Sequence, residues 1–234
     1  MIHILMPTRN KPEEITRVCA ELSGAECRLW LYVADDDPTL GEYQSLRLPT
    51  AATIVFGPPL GFSRGVNLLA SIAARQPNAT MLMRAEDDFY FRKGWDNKYR
   101  EAMWKDGVGM VWCNYVMKGP EAEPHTAAIG LGWYRALGWF SLPGVQHYYC
   151  DNVLREIAET VGRSRYIPEP MIEHRHNLKD PRKCGHGQQI YDADKKRYDQ
   201  WQRDEKANDC GRIFAVGHGR QSNSGGDNDP SSGD

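Results

Sequence analysis

Short apolar runs alternating with helically spaced stretches organise the first half of the chain. The run at 3–7 (HILMP) predicts a strand, and Ile15, Val18, Cys19 and Leu22 then recur at helical spacing. Asn10 with Glu13 three residues on is a capping-box start, Pro12 suits a first helical turn, and Gly24 ends the helix. CRLWLYVA at 27–34 is a second strand closed by Asp35-Asp36-Asp37-Pro38, and ATIVFG at 52–57 is a third closed by Pro58-Pro59. Ser63 is placed to cap a helix carrying Val66, Leu69, Ala70 and Ala73 on one face. TMLMRA at 80–85 and GMVWCNYVM at 109–117 complete five strands. Strands alternating with helices predict βαβ units and a largely parallel sheet. Such sheets gather polar and catalytic residues in the crevice at the strands' C-terminal ends. Asn10, Asp35–Asp37 and Glu86–Asp88 all fall there.

The second half is less regular. Residues 124–150 are rich in glycine and aromatics, and Trp133, Trp139, Tyr148 and Tyr149 read as core, with one or two free to stack on a sugar or base. A helix follows, with Asp151 as its expected N-cap and Val153, Leu154, Ile157, Ala158 and Val161 as its apolar face before Gly162. YIPEPMIEHRHN at 166–177 reads as a strand ending in His174 and His176, which point the same way at two-residue spacing. A polar helix is expected near 188–207, and a disordered Gly/Ser/Asn/Asp-rich tail from Gly217 onward. The expected organisation is one α/β domain, with a βα half at 1–115, a second half at 116–215 and a tail at 216–234.

Composition adds bounds. The chain has 234 residues, 41% hydrophobic and 26% charged, as in a globular domain that needs no staples. A formal net charge of −2 gives no global sign of a nucleic-acid binder. Six cysteines without a CxxC pair predict a reduced, cytoplasmic protein. The N-terminus lacks the basic region of a signal peptide, and no run approaches the ~18 apolar residues of a membrane span.

The acids need compensation. Adjacent carboxylates repel, and Asp is a common turn former, so a solvated corner explains one triplet. Two acidic strand ends on one rim favour a divalent cation holding a phosphate-bearing ligand, Mg²⁺ or Mn²⁺ with oxygen donors.

At these residues the sequence resembles glycosyltransferases of the GT-A fold, family 2 type, over about residues 1–177. Pro7-Thr8-Arg9-Asn10 matches the family's first strand end, and Asp35-Asp36 its base-contacting pair. Gly61-Phe62-Ser63 with Asn67 matches the opening of its third helix, and Arg64 lies one turn before Asn67. Glu86-Asp87-Asp88 stands where the family has its DxD motif, with Glu in the first place, and Gly94-Trp95-Asp96 follows as in the family. The resemblance implies a Rossmann-like, mostly parallel sheet flanked by helices. It also implies donor contacts from Pro7, Thr8, Asn10, Asp35, Asp36, Arg64, Asn67, Glu86 and Asp87. Asp88 and Glu86 would hold Mn²⁺ or Mg²⁺, completed by His174 or His176. The implied reaction moves a hexose or pentose from a nucleotide-diphosphate donor, by default UDP-linked, to an acceptor hydroxyl, with Asp151 as the base of an inverting transfer.

Other readings stand beside it. His174, His176, Cys184 and His186 match no familiar zinc spacing. The stretch 177–187, with Lys179, Arg182 and Lys183, reads as a loop able to close over a diphosphate or to meet an anionic acceptor. The acceptor is a glycan, a protein or a modified nucleic acid. A nucleotidyltransferase would use the same acids, but PTRNKPEE is no phosphate loop. A nucleotide- or sugar-binding module without turnover is the remaining alternative; no G-x-S-x-G or HExxH points to a hydrolase.

Overall fold

The structure is a computed structural model that describes residues 1–115, 123–175 and 187–218. Its elements run β1 (Ile2–Thr8), α1 (Pro12–Glu21), β2 (Cys27–Ala34), α2 (Leu40–Ser45), β3 (Ala52–Gly57), α3 (Phe62–Ala73), β4 (Met81–Arg84) and β5 (Phe89–Phe91). They continue with α4 (Trp95–Ala102), β6 (Met110–Cys113), β7 (Ala128–Gly130), α5 (Leu131–Leu137), α6 (Cys150–Thr160), β8 (Ser164–Ile167), β9 (Ile172–His174), α7 (Gln188–Asp204) and α8 (Lys206–His218). Seven strands form one sheet in the order β3-β2-β1-β4-β7-β6-β8, and β5 pairs with β9 separately. All pairs of the main sheet are parallel except those made by β7. The expected mostly parallel α/β sheet is therefore present.

Its two faces follow from residue alternation. Along β1, Ile2, Ile4 and Met6 join one core cluster, with Ile15 and Val18 of α1, while Leu5 joins the other. That second cluster holds Val66, Leu69, Ala70 and Ala73 of α3 and Val153, Leu154, Ile157 and Ala158 of α6, the faces expected from the sequence. Gly65 lets α3 lie on the end of β1, since a Cβ there would come within 3.1 Å of the Pro7 ring.

Local starts differ from expectation. Asn10 does not cap α1: it sits at φ 58 with its N–H given to Asp37, and Lys11 takes the N-cap position ahead of Pro12. Ser63 does not cap α3, which begins at Phe62 after Gly61 at φ 73; its buried hydroxyl meets Cys150 Sγ at 3.0 Å. Asp151 is not the cap of α6 but lies inside its first turn, after Tyr149. Of the stretch expected as one strand over 166–177, the described part, 166–175, belongs to two strands, β8 and β9. Pro168 and Pro170 cannot donate to a ladder, so β8 stops in the main sheet and β9 restarts against β5. The polar helix breaks at Glu205, and α8 carries on to His218, through Gly217 where the tail was expected. Residues 219–234 lie outside the described residues. No helix among the described residues is long and apolar enough to cross a membrane.

Candidate active site and cation cluster

Parallel pairing levels the strand ends. Leu5 lies beside Arg84 and Thr8 beside Val33, so the residues after β1, β2 and β4 emerge on one rim. At its centre Asp87 turns inward. It takes Lys11 Nζ at 2.7 Å and the Thr8 hydroxyl at 3.0 Å, and Tyr43 OH bridges Thr8 Oγ1 and the Lys11 N–H, each at 3.0 Å. Burial pushes the Asp87 carboxyl above its ordinary value, with Lys11 and Thr8 opposing. Arg17 donates to the carbonyls of Asp87 and Phe89 and lies over the Tyr90 ring, fixing the backbone on both sides of Asp88.

Glu86 and Asp88, the neighbours of Asp87, point the other way. With His174 they offer three ligand atoms within 4.8 Å of one another. His174 Nε2 is 3.1 Å from Asp88 Oδ1 and 3.6 Å from Glu86 Oε2. The imidazole arrives because β9 pairs with β5 in a register that sets His174 opposite Phe89, while the Arg175 N–H donates to the Asp88 carbonyl at 3.1 Å. The buried ring packs edge-on against Phe89, with centroids 4.8 Å apart. Two carboxylates and an imidazole fit a divalent cation with oxygen preference. His176 lies outside the described residues, as do Lys179, Arg182, Lys183, Cys184 and His186.

A second cluster adjoins the first. Asp151 is buried and faces Arg84 Nη2 at 2.5 Å and His125 Nδ1 at 2.9 Å. Burial alone would raise its carboxyl; the Arg84 charge and the His125 hydrogen bond outweigh burial and hold it down at about 2. Burial works against the Arg84 charge as well, but Asp151 outweighs it and keeps the guanidinium charged. The His125 ring lies 5.6 Å from that of His174 and 5.0 Å from that of Tyr115, so a continuous polar wall runs from Glu86 to Arg84. Phe62 closes it beneath the Arg84 guanidinium, 5.6 Å away.

The remaining expected residues have other settings. Asp35 and Asp36 are exposed at the end of β2, and Asp36 pairs with Arg9 at 2.6 Å. Asp37 is buried instead, accepting from Asn10 N–H and from the N–H and hydroxyl of Thr39. Asn67 ties α3 to the loop after α5, donating to the Ser141 carbonyl and accepting from the Phe140 and Ser141 N–H groups. Arg64 is exposed and Pro7 packs on Gly65. Trp133 is wholly buried core and Trp139 packs against that core, while Tyr148 and Tyr149 lie half-buried beside Tyr191. Sequence reasoning missed Arg84, which looks like one more position of a buried strand, and His125, which stands alone in a loop. A charged residue inside an apolar run was the one available signal.

No protein-family model matches the sequence, and no curated protein does. Solved structures do match. S. aureus TarS 1-349 in complex with UDP-GlcNAc has a TM-score of 0.62 at 11% identity, covering 92% of this chain and 70% of that one. The same TarS segment in complex with UDP gives 0.58 at 12% identity, covering 92% and 69%. A longer TarS structure gives 0.59 at 12% identity, and there the match covers 92% of this chain but 42% of TarS. The chain thus has the GT-A fold of the glycosyltransferases.

Proposed function

We propose that this chain is a metal-dependent glycosyltransferase. It moves a sugar from a nucleoside diphosphate, by the resemblance UDP, to an acceptor hydroxyl with inversion. One observation carries the reading: Glu86, Asp88 and His174 converge at the C-terminal rim of a GT-A sheet. Two of the TarS structures of the same fold are complexes, one with UDP-GlcNAc and one with UDP. Glu86, Asp88 and His174 would hold Mn²⁺ or Mg²⁺, and such an ion supplies neutralising charge for a leaving diphosphate. Asp35 and Asp36, exposed beyond β2, face the nucleoside, while Thr8, Asn10 and Asp87 hold the rim in shape.

In the transfer the bond from the anomeric carbon to the diphosphate oxygen breaks, and its electron pair leaves with the diphosphate. The acceptor oxygen bonds the anomeric carbon and passes its proton to Asp151. A carboxylate held at about 2 is a weak base. It suffices because the transition state is oxocarbenium-like, so the acceptor oxygen becomes strongly acidic before its proton moves. Arg84 and His125 keep Asp151 ionised and oriented meanwhile.

The test is calorimetric binding of UDP and GDP with and without Mn²⁺, on the wild type and on Asp88→Ala. Micromolar binding that requires both the ion and Asp88 is expected; binding of neither nucleotide in the presence of Mn²⁺ removes the reading. A nucleotide-binding module without turnover is the second reading, favoured by the enclosure of Asp151 between Arg84 and His125. It predicts the same binding with no release of UDP from any UDP-sugar.

A further inference from the structure

Asp194 lies in the second turn of α7 and has no exposed surface. It and Trp201 are the only buried residues of that seventeen-residue helix. Burying a carboxylate is costly unless it is hydrogen-bonded. Asp194 is bonded entirely outside its own helix: Oδ1 accepts the Gln146 N–H, and Oδ2 accepts those of His147 and Tyr148, each at 2.8 Å. Charge-assisted bonds of this kind are about twice as strong as neutral ones.

The three donors belong to the loop that launches α6. Its next residue, Tyr149, takes φ 64, a left-handed conformation that only one other non-glycine adopts among the described residues. α6 begins at Cys150, and Asp151 follows. The same loop is gripped from the opposite side by the start of α3. The Ser63 N–H donates to the Gln146 carbonyl at 3.0 Å, and the Ser63 hydroxyl meets Cys150 Sγ. Phe62, which underlies Arg84, meets the edge of the His147 ring at 5.5 Å. Strained backbone persists only where its surroundings over-determine it, and the Asp194 carboxylate with the α3 start supplies that determination.

We propose that Asp194 is a positioning residue for Asp151. It fixes the backbone of Gln146–Tyr148, forces the chain through the left-handed turn at Tyr149, and so sets where α6 starts and where the Asp151 carboxylate meets Arg84 and His125. Its functional meaning rests on Asp151 as the proton acceptor, but its structural content does not.

The test uses the full chain carrying ¹⁵N-labelled histidine and uniformly labelled amides, without nucleotide. In Asp194→Asn the amides of 146–148 are expected to exchange at least about tenfold faster. The ring ¹⁵N resonances of His125, which lie against Asp151, shift as well. The Trp30 indole N–H, bonded to His3 Nδ1 at the opposite end of the sheet, stays in place as the control for global structure. Faster loop exchange with unchanged His125 resonances overturns the proposal and leaves Asp194 a local tie. If Asp194→Asn does not fold, Asp194→Glu, which keeps the charge on a longer arm, is read in the same way; failure of both to fold also overturns it in favour of a purely structural role. None of these signals needs a substrate, so loss of the nucleotide-binding reading leaves them interpretable.

Discussion

The chain ends two parallel strands in three consecutive acids, Asp35–Asp37 after β2 and Glu86–Asp88 after β4. Each triplet turns one acid inward, Asp37 onto Asn10 and Thr39, and Asp87 onto Lys11 and Thr8. They differ in what the rest of the chain brings to the other two. Asp35 and Asp36 stay exposed, with Arg9 beside Asp36; Glu86 and Asp88 receive a buried imidazole from β9 and stand next to the Arg84–Asp151 pair. An acidic triplet becomes a candidate cation site through a distant strand, not through its own carboxylates.

The largest way to break the comparison is Asp87→Ala. It removes the carboxylate that Lys11 and Thr8 share, and breaking a largely buried ion pair costs about 3–5 kcal/mol. Thermal melting is expected to fall by roughly 10 °C. Acid comes next. The Asp151 carboxyl lies below its ordinary value in the folded chain, so its contribution is present above about pH 4 and is lost as pH falls toward 2. That loss is on the order of 2 kcal/mol. In an acid melt at pH 2–5 it should be absent from Asp151→Asn. His174→Ala should weaken Mn²⁺ binding roughly 10- to 100-fold, or about 1.4–2.7 kcal/mol. The Mn²⁺-induced rise in melting temperature falls with it. Asp36→Ala is the smallest: its exposed pair with Arg9 is worth about 0–1 kcal/mol and fades with salt, and Mn²⁺ affinity should not move.

The sequence made the strands, the faces of α3 and α6 and the rim of acids legible, because each is a local pattern of apolar and polar positions. It named His174 but not the route by which it reaches Asp88, since β5 and β9 are three-residue strands far apart in the sequence and short runs carry little periodicity. Asp194 looked like one more solvated position of a polar helix, because burial by contact with another segment leaves no trace in the helix's own spacing. The cap positions failed for a related reason. The Ser63 and Asp151 side chains are taken by tertiary partners, Cys150 and Arg84 with His125 respectively, while Asn10 sits in the left-handed region with its main-chain N–H on Asp37.

The antiparallel β7 stands between two parallel blocks, and this has a consequence for the order in which the chain is made. Strands β1 to β4 find their parallel partners within the first 84 residues, so a growing chain can lay down that sheet and both acidic triplets early. His174 is synthesised much later. A nascent or truncated chain that stops short of β9 therefore carries the acids without the imidazole, and the Glu86–Asp88–His174 cluster is assembled only once β9 has been made.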